Sequence, residues 1–306
     1  MRVVITGGTG FVGPHLVAEL ESHGHAVVVP VYPEFDVTKP ATIAEALSPA
    51  PDAVIHLAAV AHPASAQSDP AGALQVTVGG TINLLEAIRA TGSRPFVLVV
   101  SSSEVYGRPS SEDLPLSESA PLRPVSSYAL TKAGQESVAL AYFASREMSG
   151  AVVRPFNHSG PGQTAQYVIP ALAGRVADAK RKGRPEVSVG NMSVRRDFLH
   201  VRDVVRAYRL LIEIGAAGDG AVLGRVFNVA TGRPVAIGDI LSGLGVAAGI
   251  VPVGVADPAL VRPDDIAEIS GDPRALKAAT GWRPETSLDN LLRDVLADVE
   301  QRLPAA

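Results

Sequence analysis

The sequence predicts an α/β fold: a doubly wound parallel sheet carrying a smaller C-terminal cap. Three observations carry that expectation. Short Val-rich apolar runs alternate with segments of helical periodicity through the first half of the chain. A glycine-rich turn stops the first apolar run and opens the first helical segment. Beyond about Pro155 the alternation loosens, and Pro and Gly become frequent. Apolar runs too short for helices, spaced by helices, read as strands of a parallel sheet buried on both faces. With 306 residues there is room for one large α/β unit or two modest ones, and for a core that folds without cross-links.

In chain order, "RVVIT" is the first strand and "FVGPHLVAELESHG" the first helix, stopped by Gly24. "HAVVVPV" is the second strand, and "DAVIHLAA", "RPFVLVVSS" and "SGAVVRPFN" are later ones. "TINLLEAIRATG" and "SYALTKAGQESVALAYFASRE" carry helical spacing between them, and "RVFNVA" returns to the sheet. The expected division places residues 1–162, with a return segment near 195–230, in the main unit, and residues 163–194 and 231–306 in the cap.

Composition excludes several classes. There is no cysteine, so thiol catalysis, thiolate metal sites and disulfides are out. The net charge is −4 with no long basic run, which argues against nucleic acid. The seven His are scattered without helical ligand spacing, so no metal is expected. A strand begins at once in "MRVVITGG", leaving no room for a signal peptide, and no apolar stretch is fit to span a bilayer. A cytoplasmic protein is the expectation.

"TGGTGFVG" sets Gly7, Gly10 and Gly13 between the first strand and the first helix. Backbone free of side chains can approach a pyrophosphate there, and the helix amino end offers N–H groups to it. A Rossmann-like dinucleotide site, for NADPH or NADH, follows from that placement. The second strand ends in "VVVPVYPEFDVTKP", with neither an acid nor an Arg at its tip. Asp36 lies further on and either reaches the adenine or caps the next helix, so the choice between the two cofactors stays open.

"SSYALTKAG" holds Tyr128 and Lys132 one helical turn apart on one face. An ammonium beside a phenol is expected to lower the Tyr pKa and to reach a nicotinamide ribose. "VVSSSEVYG" ends a buried strand with hydroxyls at the carboxyl edge, where open parallel sheets bind ligands; Ser102 is best placed to meet a substrate oxygen.

With these motifs in place the chain resembles the extended short-chain dehydrogenases/reductases, the sugar-nucleotide epimerases, dehydratases and reductases. The resemblance runs over nearly the whole chain, through "TGGTGFVG", "DAVIHLAA", "GGTINLLEA", "SSSEVYG", "YALTK", "RPFN", "RRDFLHVRDVVRAY", "FNVATG" and "TGWRPETSLDNLL". It implies Ser102, Tyr128 and Lys132 as catalytic residues. It also implies cofactor contacts from Gly7, Gly10, Phe11, Val12, Gly13, Asp36, Val37, Leu57, Ala58, Ala59, Tyr128 and Lys132. On the substrate side it implies Ser103, Glu104 and Asn157, with Arg196 and Arg262 on a diphosphate. Thr77 is a departure, standing where the family's "N-x-x-G-T" has Asn.

The loop "NHSGPGQ" is similar to that of reductases acting on GDP-linked 4-keto-6-deoxymannose, which yield GDP-D-rhamnose. His158 within it either meets the ligand or fixes the loop. GDP-mannose 4,6-dehydratase is the alternative, because Glu104 stands where those enzymes carry an extra catalytic Glu; a carboxylate that only caps its loop is the other reading of that residue. Outside this chemistry stand a dinucleotide-binding regulator that has lost turnover and a scaffolding member of the family. Apolar positions beyond one stripe on the helices from about Thr77 to Ala90 and from Ser126 to Arg146 predict a homodimer through a four-helix contact.

Overall fold

The computed structural model describes residues 1–145, 148–261 and 265–303. Its strands are Arg2–Thr6 (β1), Ala26–Val28 (β2), Ala53–His56 (β3), Phe96–Val100 (β4), Ser149–Pro155 (β5), Asn157–Ser159 (β6), Glu186–Val189 (β7), Arg195–His200 (β8), Val226–Val229 (β9), Pro234–Ala236 (β10), Val253–Ala256 (β11) and Glu268–Ile269 (β12). The main helices are Val12–Ser22 (α1), Pro40–Ala46 (α2), Pro63–Ser68 (α3), Pro70–Leu74 (α4), Gly80–Thr91 (α5), Ser127–Ala144 (α6), Val168–Lys182 (α7), Val201–Ala216 (α8), Ile237–Ala248 (α9), Arg274–Thr280 (α10) and Leu288–Arg302 (α11).

Six strands form one sheet in the order β2-β1-β3-β4-β5-β9, every pairing parallel. Successive side chains alternate between its faces, and both faces are buried. Val3 and Ile5 pack with Leu16 and Leu20 of α1 and with Val204, Leu211 and Ile212 of α8. Val4 packs on the other side with Leu84, Leu85 and Ile88 of α5 and Ala139 and Phe143 of α6. The chain leaves β1 for β2 on one flank and returns to β3 on the other, so β1 and β3 part at their carboxyl ends. Ligands bind at such a switch point in open α/β sheets.

A second core gathers Ile169, Leu172 and Val176 of α7, Ile240 and Leu244 of α9, and Leu291, Leu292 and Val295 of α11. Beside it, β10 pairs antiparallel and β12 parallel with β8, β6 pairs with β8, and β11 pairs with β7. The return to the large sheet is made by β9. The C-terminal stretch is divided between the cores: Leu276 and Trp282 join the first, and α11 joins the second.

Two elements differ from the sequence expectation. The second strand is only three residues long, because it is an edge strand running into Pro30 and Pro33, which cannot donate to a ladder. The helix expected from about Thr77 is preceded by α4 and a five-residue π-helical turn, Gln75–Gly79, which leads into α5.

Candidate active site

The glycine turn sits at the switch point. Gly7 has φ +70°, and a Cβ there would lie 2.6 Å from the Ala58 Cα, so β1 and the end of β3 approach only because no side chain stands between them. A Cβ at Gly13 would lie 1.7 Å from the Gly8 carbonyl oxygen, which closes α1 onto the turn. Gly10 is different: its nearest neighbour would be the Gly7 oxygen at 3.7 Å, so the protein itself leaves this side open. No side chain caps α1, and no acid stands in its first turn. Open backbone before an uncapped helix amino end suits a pyrophosphate. Phe11 and Val12 are half-buried at that end, as are Leu57, Ala58 and Ala59 across the gap.

Beyond the turn, Ser102 lies two residues past the end of β4, and Tyr128 and Lys132 come from α6. Ser102 is almost buried, and its Oγ accepts the Glu104 N–H at 3.2 Å, starting the short 3₁₀ turn Ser103–Tyr106. Burial pushes the Tyr128 phenol up, the Glu104 carboxylate adds to that, and a hydrogen bond with Ser102 opposes it. The expected lowering by Lys132 does not occur, because the ammonium is turned into the fold. Its Nζ donates to Val100 O at 2.7 Å and to Gln135 Oε1 at 2.9 Å. Burial brings the Lys132 pKa down to about 7.

A nicotinamide dinucleotide fits this arrangement. The turn offers open backbone; among the described residues Lys132 has two of its three N–H bonds committed, and the buried Ser101 Oγ just after β4 has no hydrogen-bond partner.

The remaining candidates lie on the cofactor side and the substrate side. Asp36 acts locally: its Oδ1 accepts from Thr38 N at 2.9 Å and Thr38 Oγ1 at 2.7 Å, and Lys39 stands 3.5 Å from Oδ2. Val37 is buried against Gly80 of α5, and its carbonyl accepts from Asn83 at 2.9 Å. Thr77 Oγ1 accepts from Val60 N at 3.2 Å, which anchors the loop after β3.

On the substrate side, Ser103 is nearly buried, whereas Glu104 and Asn157 are exposed. His158 Nδ1 bonds to Phe156 O at 2.9 Å, and the ring stacks on Phe11 with centroids 6.1 Å apart, so it fixes the loop against the glycine turn. His15 of α1 holds the same loop through Pro161 O at 2.9 Å. Arg196 Nη1 donates to Ile266 O at 2.7 Å, with Asp265 3.8 Å from Nη2. Arg262 lies outside the described residues.

Sequence reasoning missed two buried polar assemblies beneath the site. One runs through Thr6, His56, Thr81 and Gln135 to Lys132. The other centres on an Arg154–Glu136 ion pair; Arg154 also donates to the Tyr106 hydroxyl at 2.9 Å, and that hydroxyl donates to Asn228 Oδ1 at 2.7 Å. Helical spacing gave a signal for both, since Gln135 and Glu136 lie three and four residues past Lys132, but nothing local names their partners.

A parallel sheet, a glycine turn at its switch point and a Ser, Tyr and Lys group at the next strand end define a dinucleotide-dependent oxidoreductase architecture. The model of the NAD dependent epimerase/dehydratase family matches residues 3–230, and the chain belongs to that family. It is 36% identical to a GDP-6-deoxy-D-mannose reductase of Pseudomonas aeruginosa, over 99% of this chain and 98% of that protein. The structure of RMD from Pseudomonas aeruginosa complexed with NADPH superposes with a TM-score of 0.91 at 35% identity, covering 99% of each chain. A GDP-mannose 4,6-dehydratase of Vibrio cholerae is 26% identical over 82% of this chain and 74% of that protein.

Proposed function

We propose that the protein reduces the C4 ketone of GDP-4-keto-6-deoxymannose to GDP-D-rhamnose, using NADPH or NADH. The observation that carries this reading is the end-to-end similarity to a GDP-6-deoxy-D-mannose reductase. In this reading the turn from Gly7 to Gly13, with Leu57, Ala58, Ala59, Asp36 and Val37, holds the cofactor. Ser103, Glu104 and Asn157 face the sugar, and Arg196 and Arg262 serve the diphosphate.

When bound, the reduced nicotinamide supplies the hydride that reaches C4 and is itself oxidised. The Tyr128 hydroxyl gives its proton to the carbonyl oxygen, so that ketone, hydride and proton together become an alcohol. A phenol whose pKa is raised by burial and by Glu104 keeps that proton across the neutral range, which suits an acid working in the reductive direction. The Ser102 hydroxyl holds the oxygen as negative charge develops on it, and acts mainly on turnover for that reason. Lys132 offers its remaining N–H to the cofactor ribose.

Glu104 favours a second reading, as GDP-mannose 4,6-dehydratase, in which a base must take the C5 proton. It is exposed beside the trio, and its charge is felt by both Tyr128 and Tyr167. One experiment separates the two: incubation with GDP-4-keto-6-deoxymannose and each reduced cofactor, with the product read by NMR. The reductase reading expects cofactor oxidation and a single C4 alcohol, and a loss of roughly 10²–10⁴-fold in rate for Tyr128→Phe. Glu104→Gln slows a reductase modestly but nearly abolishes a dehydratase. Conversion of GDP-mannose to the keto sugar without consumption of reduced cofactor, and failure to reduce the keto sugar, overturns the reading.

The same reading makes the protein a cytoplasmic homodimer. Leu74 and Ile82 along α4 and α5, and Leu130 on α6, are large apolar residues left exposed, as a four-helix contact requires. No helix among the described residues is long and apolar enough to cross a membrane.

A further inference from the structure

Five side chains link the glycine turn to Lys132 without a break. Thr6 Oγ1 lies 2.7 Å from His56 Nδ1, and His56 Nε2 lies 2.9 Å from Thr81 Oγ1. Gln135 Nε2 lies 3.0 Å from the same Thr81 oxygen, and Lys132 Nζ lies 2.9 Å from Gln135 Oε1. None of the five is more than 3% exposed.

Donor counting fixes the direction of every bond. An ammonium only donates, so Gln135 turns its oxygen to Lys132 and its NH₂ to Thr81. The single Thr81 hydroxyl proton goes to Thr77 O, 2.7 Å away, because a carbonyl can only accept. Thr81 Oγ1 therefore accepts from both Gln135 and His56, so His56 is protonated at Nε2, and burial keeps it neutral with no proton on Nδ1. Its bare Nδ1 takes the Thr6 hydroxyl proton, and Thr6 Oγ1 accepts the Ala58 N–H at 3.4 Å. Burial first, and the nearby Lys132 charge second, bring the His56 pKa down to about 3, in keeping with that neutral form. Each proton is used once, and Thr6 is the residue immediately before Gly7.

We propose that Gln135, oriented by Thr81 and His56, is a positioning residue for Lys132: it takes one N–H, Val100 O takes a second, and the third is the only one left for the cofactor. The proposal rests on the dinucleotide reading of the site. The network holds one charge at one end, where a lysine reaching for a ligand needs it, and the amide fixes the ammonium's rotation without neutralising it. The titratable group that feels the Lys132 charge is His56 on β3, which is neutral; Glu136 is committed to Arg154, and Glu104 acts on Tyr128.

The test is NADPH binding, followed by nucleotide fluorescence against pH, in the wild type, Gln135→Met and Gln135→Glu, with thermal melts as the folding control. Loss of the acceptor disfavours the ammonium, so the alkaline midpoint for binding moves down in Gln135→Met, with roughly 10- to 100-fold weaker binding at neutral pH. A carboxylate at the same place favours the ammonium, so the midpoint moves up in Gln135→Glu. Midpoints unmoved in two folded variants overturn the proposal. Should Gln135→Met not fold, Gln135→Glu decides alone: an upward shift supports the proposal and an unmoved midpoint overturns it. No sugar nucleotide enters the measurement, so failure of the reductase reading leaves the test intact. Absence of binding of both NADPH and NADH by the wild type, each followed in the same way, overturns the dinucleotide reading and this proposal together.

Discussion

Gln135 and Glu136 are neighbours on α6, yet they serve buried assemblies of opposite kinds. From Gln135 runs a chain of amide, hydroxyl and imidazole with one charge, that of Lys132, at its end. Glu136 holds a full ion pair with Arg154, the two side chains 1% and 4% exposed. Arg154 also lies 4.9 Å from the centre of the Tyr106 ring, and Tyr106 and Asn228 carry the network across to β9. The ion pair neutralises itself and ties α6, β5 and β9 into one frame. The neutral chain leaves its terminal charge uncompensated, and an uncompensated charge is what a ligand can still use. Adjacent residues thus divide rigidity from reactivity.

Breaking the frame is expected to have the largest effect. Arg154→Met strands Glu136 as a buried, unpaired carboxylate and should cost about 3–5 kcal/mol in urea unfolding, with much of the loss recovered when Glu136→Leu is added. A double variant no better than the single one contradicts this account. Thr81→Val comes next. It removes the acceptor of two buried N–H groups and should cost about 1–3 kcal/mol, with no change in the Arg154–Glu136 side.

The third effect is a pH slope. His56 has its pKa lowered from 6.5 to about 3, so between those values the unfolded chain binds a proton that the folded protein refuses. Stability therefore rises with pH across that window and falls as pH drops through it. Unfolding free energies measured from pH 7 down to pH 4 should fall less steeply in His56→Gln than in the wild type. Equal slopes would mean that His56 takes up a proton without unfolding.

Local signals carried much of this architecture. "RVVIT" followed by glycines, and Tyr128 one turn from Lys132, are short-range patterns, and the fold puts them where such patterns belong. The second strand is shorter than its apolar run, because that run crosses Pro30 at a sheet edge. The Tyr128 shift came out opposite to expectation because helical spacing places Lys132 on the same face without saying what its Nζ touches; Val100 and Gln135 claim it. His56 has no polar partner near it in sequence, since Thr6 and Thr81 lie 50 and 25 residues away. Partnerships across such separations are products of the fold and leave no mark at either end.

The path of the chain after β9 bears on where this protein can be cut. Trp282 lies in the first core and donates its ring N–H to Asp203 O at 2.9 Å, while the Asp203 carboxylate accepts from the Glu285 and Thr286 amides. A truncation at residue 230 would keep every strand of the large sheet and all of the Ser, Tyr and Lys group. It would also strip Leu276 and Trp282 from the flank of α8, leaving that helix half clothed in water. A chain ended there should therefore unfold at lower urea than the full chain, and a chimera that exchanges the cap should keep its stability only if residues 274–286 come from the same parent as α8.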